Sequence, residues 1–251
     1  MLQILPTAKP RKSVIDTAFF IHNEKGRNSM AEKYNWAIEN IVLPSNEKFV
    51  CFRHDDSELR SGLDICEYKL DKLFESHKVG MAGVIGTIAL DRNCTWWTGV
   101  NGAGGRSTYG VGAIIQGGMR PRLKDNKPVL DPTTNKPVME PYEYWMRDFP
   151  GVHDYLATVD GCCMFFPKWI FEEGLRFDEN LKGYHFYDTD ISLQVLERGY
   201  KVSTIDITIM HKSVGEMPKE FNDLKKVFYE KWDRKVHGEW PISRLSKFYK
   251  D

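Results

Sequence analysis

Phe49-Val50-Cys51-Phe52-Arg53-His54-Asp55-Asp56 decides how this chain is read. Its mostly apolar first half is a buried strand, and the strand stops at His-Asp-Asp. In an open α/β sheet, ligands bind beyond the carboxyl ends of the strands. Adjacent carboxylates placed there can hold a hard divalent cation, which in turn holds phosphate. A polar turn closing a strand accounts for the same residues equally well, so the neighbouring segments must separate the two readings.

Upstream, Leu2 to Leu5 reads as a short strand, and Pro6 to Lys12 as a loop. Thr17 to Ile21 reads as a second strand. Ser29, with Glu32 three residues on, forms a capping box for a helix over 30–40. Ala31, Tyr34 and Ile38 share one face of that helix. Strand, helix and strand in this order predict parallel pairing through a right-handed crossover. Downstream, Leu63, Cys66, Leu70, Leu73 and Phe74 make the apolar stripe of a second helix. Val79 to Leu90 reads as one long apolar strand region interrupted by glycines. No Gly-Lys-Ser/Thr follows it, which argues against a nucleotide hydrolase.

Residues 101–118 are Gly-rich and read as a long lid loop. Asn126-Lys127-Pro128-Val129 recurs as Asn135-Lys136-Pro137-Val138, around the turn signal Asp131-Pro132. This predicts a protruding hairpin whose lysines, Lys124, Lys127 and Lys136, are either a solvated surface or a contact for an anionic partner. Tyr155 to Phe166 reads as a strand broken at Asp160-Gly161. Pro167 is placed to start a helix that Gly174 ends. Asp188-Thr189-Asp190 opens another helix, closed by Gly199; capping alone accounts for one of the two aspartates. Lys201 to Ile209 reads as a strand leading into His211, and a last helix spans 219–232.

Composition sets outer limits. A hydrophobic fraction of 41% in 251 residues is enough for a core. Lys+Arg and Asp+Glu balance at 35 each, so no overall basic field points to nucleic acid. No apolar run has membrane-spanning length, and the first residues lack a signal peptide's pattern. The expectation is therefore a cytoplasmic protein without an integral membrane segment. Cys51, Cys66, Cys94, Cys162 and Cys163 fit no zinc spacing and read as reduced core thiols. A nucleophilic Cys162 or Cys163 is the competing reading.

The second half carries the specific motifs: "VDGCCMFFPKWIF", "RFDENLKGYHFYDTDISLQVLERGYKV" and "IMHKS". Together with "SMAEKYNWAIE" and "FVCFRHDD", they resemble the family-two-like glycosyltransferases of the GT-A fold, and "GMAGVIGT…WWTG" is similar to the branch whose motif begins with His. The resemblance spans residues 17–213. It implies an α/β fold with a mixed, mainly parallel, Rossmann-like sheet flanked by helices. The chain is expected to be a single domain over 1–251, with a lid loop and hairpin inserted at 100–150 and a C-terminal helix and tail at 214–251. The family's opening is shortened here. Asn23 stands near its base-reading Asp, and Tyr187 stands where the family has Glu.

What the resemblance implies about chemistry is concrete. The chain would be a metal-dependent, inverting hexosyl- or pentosyltransferase that moves a sugar from a nucleotide-sugar donor to an acceptor hydroxyl. Mn²⁺ or Mg²⁺ would sit on Asp56 and His211. His54 is either a further ligand or a structural, hydrogen-bonded histidine. Asp188 would be the general base. Asn23, Tyr34, Asn35 and Asp55 would meet the donor; Asp160, Gly161, Trp97 and Asp190 would meet the sugar or acceptor. Trp96, Trp97 and Trp145 are either stacking platforms or core. The acceptor is a glycan or a modified nucleic acid such as DNA with hydroxymethylated bases. A different class remains beside this one: a non-catalytic carbohydrate- or nucleotide-binding module on a decayed GT-A fold. Oligomeric state has no signal in the sequence.

Overall fold

Ser29 begins the first helix as the capping box requires: its hydroxyl accepts from Glu32 N (3.2 Å) and the Glu32 carboxylate accepts from Ser29 N (2.9 Å). The computed structural model of the chain describes residues 1–8, 16–23, 28–90, 110–148, 151–212, 219–236 and 242–243. In chain order it opens with β1 (Leu2–Thr7), β2 (Ala18–His22), α1 (Met30–Ala37) and a π-helical turn over Ile38–Val42. Then come β3 (Phe49–Arg53), β4 (Ser57–Leu59), α2 (Leu63–Phe74), β5 (Val79–Gly83), β6 (Ile85–Thr87) and β7 (Ala89–Leu90). The hairpin region holds β8 (Gly110–Pro121), β9 (Leu123–Lys124), β10 (Lys127–Pro128) and β11 (Met139–Asp148). The last part holds β12 (Thr158–Val159), β13 (Cys163–Pro167), α3 (Trp169–Glu172), α4 (Tyr187–Glu197), β14 (Lys201–Thr204), β15 (Ile209–His211), α5 (Phe221–Val236) and β16 (Ile242–Ser243).

The main sheet has the order β14-β5-β13-β3-β1-β2. Its strands pair in parallel except around β13, which is antiparallel to both β3 and β5. This is the mixed, mainly parallel sheet flanked by helices that the sequence implied. Strand alternation fills two cores. Val50 and Phe52 of β3, with Met164 and Phe166 of β13, face α1, α3, α4 and α5. Phe49 and Cys51, with Cys163 and Phe165, face α2 and the second sheet. Cys51, Cys66, Cys162 and Cys163 are buried free thiols. Burial pushes Cys66, Cys162 and Cys163 up in pKa, which suits packing and not nucleophilic attack. Cys94 lies outside the described residues.

The second sheet has the order β12-β6-β8-β15-β4, with β11 also paired to β8. Three segments differ here from the sequence reading. The apolar region 79–90 is not one strand: β5 belongs to the main sheet and β6 to the second, so the chain crosses between sheets at Val84. The same happens at 201–211, where β14 and β15 lie in different sheets. Residues 110–118, expected in a loop, begin the longest strand, β8; their glycines suit a strand with close neighbours on both edges. Residues 101–109 lie outside the described residues. The predicted hairpin is present as β8 and β11, with β9, β10 and a Leu130–Pro137 bridge near its tip. Pro167 ends β13 and does not start a helix; α3 begins at Trp169. Among the described residues no helix is long and apolar enough to cross a membrane.

Candidate active site

The turn after β3 is tied down on every side. His54 N donates to Cys162 O (3.1 Å), and Ser57 donates to His54 O through its hydroxyl (2.7 Å) and its amide (3.2 Å). Lys212 N donates to Asp56 O (3.1 Å), which locks the turn to β15. Arg53 reaches back from the end of β3 to Gln3 (3.2 Å) and to the Ser57 carbonyl. The side chains of 54–56 are therefore presented by a rigid corner between the two sheets.

β15 pairs with β4 so that His211 lies opposite Ser57. This brings His211, far along the chain, to the His54-Asp55-Asp56 corner. His54 Nδ1 and His211 Nε2 are 3.3 Å apart, and Asp56 Oδ1 is 3.4 Å from His211 Nε2 and 4.0 Å from His54 Nδ1. The three ligand atoms lie within 4.8 Å of one another, and the group could hold a metal ion. Two imidazole nitrogens and a carboxylate oxygen suit Mn²⁺ at least as well as Mg²⁺. Burial holds the His54 imidazole below its usual pKa, with His211 adding to the effect. Burial also opposes charge on His211, but the Asp56 hydrogen bond and the nearby Asp160 charge outweigh it and raise that pKa.

The other nitrogen of His54, Nε2, is 2.7 Å from the Tyr187 hydroxyl. If that nitrogen carries the proton and donates it, Nδ1 is left bare toward the ligand group; metal-binding histidines are commonly oriented this way by a second partner. Tyr187 begins α4, and its hydroxyl occupies the space a side chain at 161 would need: a Cβ on Gly161 would lie 2.1 Å from it. The residue before it, Phe186, has φ 66°, uncommon for a large side chain. Its ring packs on Phe221 (4.9 Å) and Phe228 (5.3 Å) of α5. Sequence reading placed Tyr187 only as a departure from the family pattern. Its link to His54 depends on the fold.

Asp188 follows. Its Oδ2 accepts from Gly161 N (3.0 Å) and its Oδ1 from Thr189 N (2.8 Å). Burial, then the charge of Asp160, raises its pKa to about 7. Asp160 is held by Cys162 N donating to its Oδ1 (2.7 Å), and its charge acts on His54, His211 and Asp188 alike. The break between β12 and β13 and the start of α4 thus converge on the corner after β3.

Three residues expected at a ligand are otherwise engaged. Tyr34 is fully covered and packs on Phe52 (4.7 Å), Phe177 (5.0 Å) and Tyr187 (5.8 Å). Asn35 brackets the backbone of Phe177, donating to its carbonyl and accepting from its amide, both at 2.9 Å. Asp190, fully buried, accepts from Trp232 Nε1 (2.8 Å), Gln194 Nε2 (2.7 Å) and Lys231 Nζ (2.7 Å). It fastens α5 to α4 and faces away from Asp188. Asn23 is exposed just after β2. Trp145 is 46% exposed on β11, which argues against a core role for it. Trp96 and Trp97 lie outside the described residues.

No curated protein matches the chain. Among solved structures, the inositol-1-phosphate CTP transferase from T. maritima aligns over 85% of this chain and 68% of its own, at 8% identity and a TM-score of 0.29. A model of a glycosyltransferase-like family matches residues 9–232. With most of its length covered by that model, including the corner after β3, the start of α4 and His211, the chain belongs to the glycosyltransferase-like family.

Proposed function

We propose that the chain transfers a sugar from a nucleotide-sugar donor to an acceptor hydroxyl with inversion at the anomeric carbon. The family implies a transferase with such a donor and an acceptor. The observation that carries the reading is the convergence of His54, Asp56 and His211 beside Asp188, a carboxylate whose pKa of about 7 suits a base at neutral pH. Mn²⁺ or Mg²⁺ held by His54, Asp56 and His211 would neutralise the charge that builds on the departing diphosphate.

The protein's own groups account for the rest. Asp188 takes the proton of the acceptor hydroxyl as its oxygen bonds to the anomeric carbon and the bond to the diphosphate oxygen breaks. Gly161 N and Thr189 N hold the carboxylate in place while leaving lone pairs on both oxygens. Asp160 raises the basicity of Asp188, and Asp55 is assigned to the donor's ribose. The acceptor side is supported by a row across the second sheet: Ser57, His211, Gln116 and Tyr144 are register partners. Tyr142 continues that face, its ring parallel to Tyr144 at 5.9 Å. A sugar chain leaving the site along these rings is the acceptor geometry we favour.

A screen of nucleotide sugars for release of nucleoside diphosphate, with and without Mn²⁺, tests the proposal. Mn²⁺-dependent release from one donor is expected; none from any donor would count against it. The short link between the parallel strands β1 and β2 favours a second reading, a non-catalytic carbohydrate- or nucleotide-binding module. Calorimetric sugar or nucleotide binding without turnover would select it.

A further inference from the structure

The repeated Asn-Lys-Pro-Val has no part in the chemistry above. It builds the tip of the β8–β11 hairpin as two successive turns. In the first, Asp125 and Asn126 both have positive φ (51° and 60°), as in the two-residue turn that suits a hairpin, and they join β9 to β10. In the second, Asn135 has φ 53°, and the Asp131 carboxylate accepts from Thr133 N (2.9 Å) and Thr134 N (2.8 Å). Each left-handed Asn is followed by an exposed lysine, Lys127 or Lys136.

Charge at this tip is unbalanced. Glu140 is taken up by Arg120 (3.1 Å) and Arg122 (3.6 Å), and Asp131 by its own turn. The one further acid, Asp125, lies between Lys124 and Lys127 in sequence and leaves the tip net positive. Lys124, Lys127 and Lys136 form no ion pair among the described residues. Lys124 and Lys127 are direct cross-strand partners. Like charges placed opposite one another destabilise a ribbon, and an anion over the pair removes that repulsion.

The same tip exposes aliphatic side chains. From Gly117 onward β8 has β11 as its one strand neighbour among the described residues. On this free ribbon Met119 is opposite Pro141 and Pro121 is opposite Met139, so the four share one face. Met119 is 58% exposed and Leu123 57%; Leu130 and Met139 are exposed as well. With Tyr144 and Trp145 they are six of the twelve exposed large hydrophobic side chains among the described residues, so exposure is concentrated here and not scattered.

We propose that this tip docks on an anionic lipid surface, with the lysines at the headgroup phosphates and the aliphatic side chains at the edge of the acyl layer. Basic and apolar side chains together are what an interfacial segment requires. A nucleic acid would satisfy the lysines and leave Met119, Leu123, Leu130 and Met139 in water. A second copy would cover those side chains and bring like-charged lysines together. Docking is independent of the donor reading. It also sets a distance: five residues of β8, about 16 Å of strand, separate Pro121 from Gln116, the register partner of His211.

The test is co-sedimentation of the full chain with vesicles of phosphatidylcholine alone and of phosphatidylcholine mixed with phosphatidylglycerol. Titration with a duplex DNA and sedimentation velocity of the protein alone accompany it. Wild type should bind the anionic vesicles about tenfold or more tightly than the neutral ones. Lys124→Glu, Lys127→Glu and Lys136→Glu combined should remove that preference. Leu123→Ser with Leu130→Ser should weaken binding to anionic vesicles about tenfold. These side chains are exposed, so both variants should keep the wild-type melting temperature; Met119→Ser with Met139→Ser carries the apolar arm if the first pair does not fold. Equal binding to both vesicles, binding to neither, or vesicle binding that the Ser variants leave unchanged overturns the proposal. Binding to DNA tighter than to vesicles would assign the tip to nucleic acid, and self-association that the Ser variants abolish would assign it to a second copy; either result overturns it too.

Discussion

Gly161 and Tyr187 fit together with no room for a methyl group: a Cβ on Gly161 would lie 2.1 Å from the Tyr187 hydroxyl, the same hydroxyl that is 2.7 Å from His54 Nε2. Gly161→Ala must push that ring aside. Overpacking of this kind costs about 1–3 kcal/mol. We expect both a lower melting temperature and weaker Mn²⁺ binding, read by calorimetry, because His54 loses its orienting partner. Adding Tyr187→Phe should recover only part of the stability, because the ring Cζ would still lie 2.6 Å from the new Cβ, and none of the metal affinity. Unaltered Mn²⁺ binding in Gly161→Ala would separate Tyr187 from the metal group.

The metal group itself is tested by Asp56→Ala and His211→Ala, each of which should abolish measurable Mn²⁺ binding. Tyr187→Phe alone should weaken it by roughly tenfold, the usual size for loss of an outer partner. His211 has a raised pKa through Asp56. A cation must displace that proton, so affinity should fall as pH drops through the raised value. Affinity that is flat with pH would remove His211 from the ligand set.

Asp188 predicts the pH dependence of the rate. A base must be ionised before the reaction, so kcat/KM should rise with pH and level off above about 7. Asp188→Asn should lose roughly 10²–10⁴-fold in rate while nucleoside diphosphate binding survives. Full activity in that variant would return the role to another carboxylate, with Asp160 the nearest candidate.

The same carboxylate shapes stability, and the sign follows from its pKa, raised from 3.8 to about 7 by burial and Asp160. Between these values the native state holds a proton that the unfolded chain has released. Stability therefore falls as pH rises through this window, and the cost of burying the charge is fully present above it. Asp188→Asn does not pay that cost. Its melting temperature should gain on wild type between about pH 4 and pH 7 and stay parallel above. Parallel curves throughout would mean that Asp188 titrates near its ordinary value.

α5 is held by an ion pair in the core. Lys231 lies between Asp190 (2.7 Å) and Asp178 (2.8 Å), and Asp190 also accepts from Trp232. Removing one partner of a buried pair leaves the other charge uncompensated, at a cost of about 3–5 kcal/mol. Lys231→Met should show a loss of that order in chemical denaturation. The double variant Lys231→Met with Asp190→Asn should recover part of it. Equal losses in the single and double variants would show that Asp190 is not charged in the native state.

The pattern of apolar residues made much of this fold legible. β1, β3, α1, α2 and α4 announce themselves through periodicity and caps, and the capping box at Ser29 and Glu32 forms as read. Where reading failed, the cause was tertiary. Val84 looks like the middle of a strand because local sequence does not record a change of sheet. Gly110 to Gly118 looked like loop because glycines that let neighbouring strands approach resemble glycines that free a turn. In the site, the strand end and the late His-containing strand point to His54, Asp56 and His211, and the fold brings them together. Asp188 and Asp190, two positions apart on one helix, carry no label for direction: one faces the corner and the other meets Lys231, Gln194 and Trp232. Tyr187 has no motif at all, since its hydroxyl is meaningful only through His54, far away in the chain.

The backbone turn at Phe186 has a consequence in time. Its left-handed conformation aims Tyr187 and Asp188, and the rings that hold it, Phe221 and Phe228, come after every strand of both sheets. During synthesis the sheets can close before those rings emerge. The strands of both sheets are thus complete in the chain before the helix that aims the reactive corner.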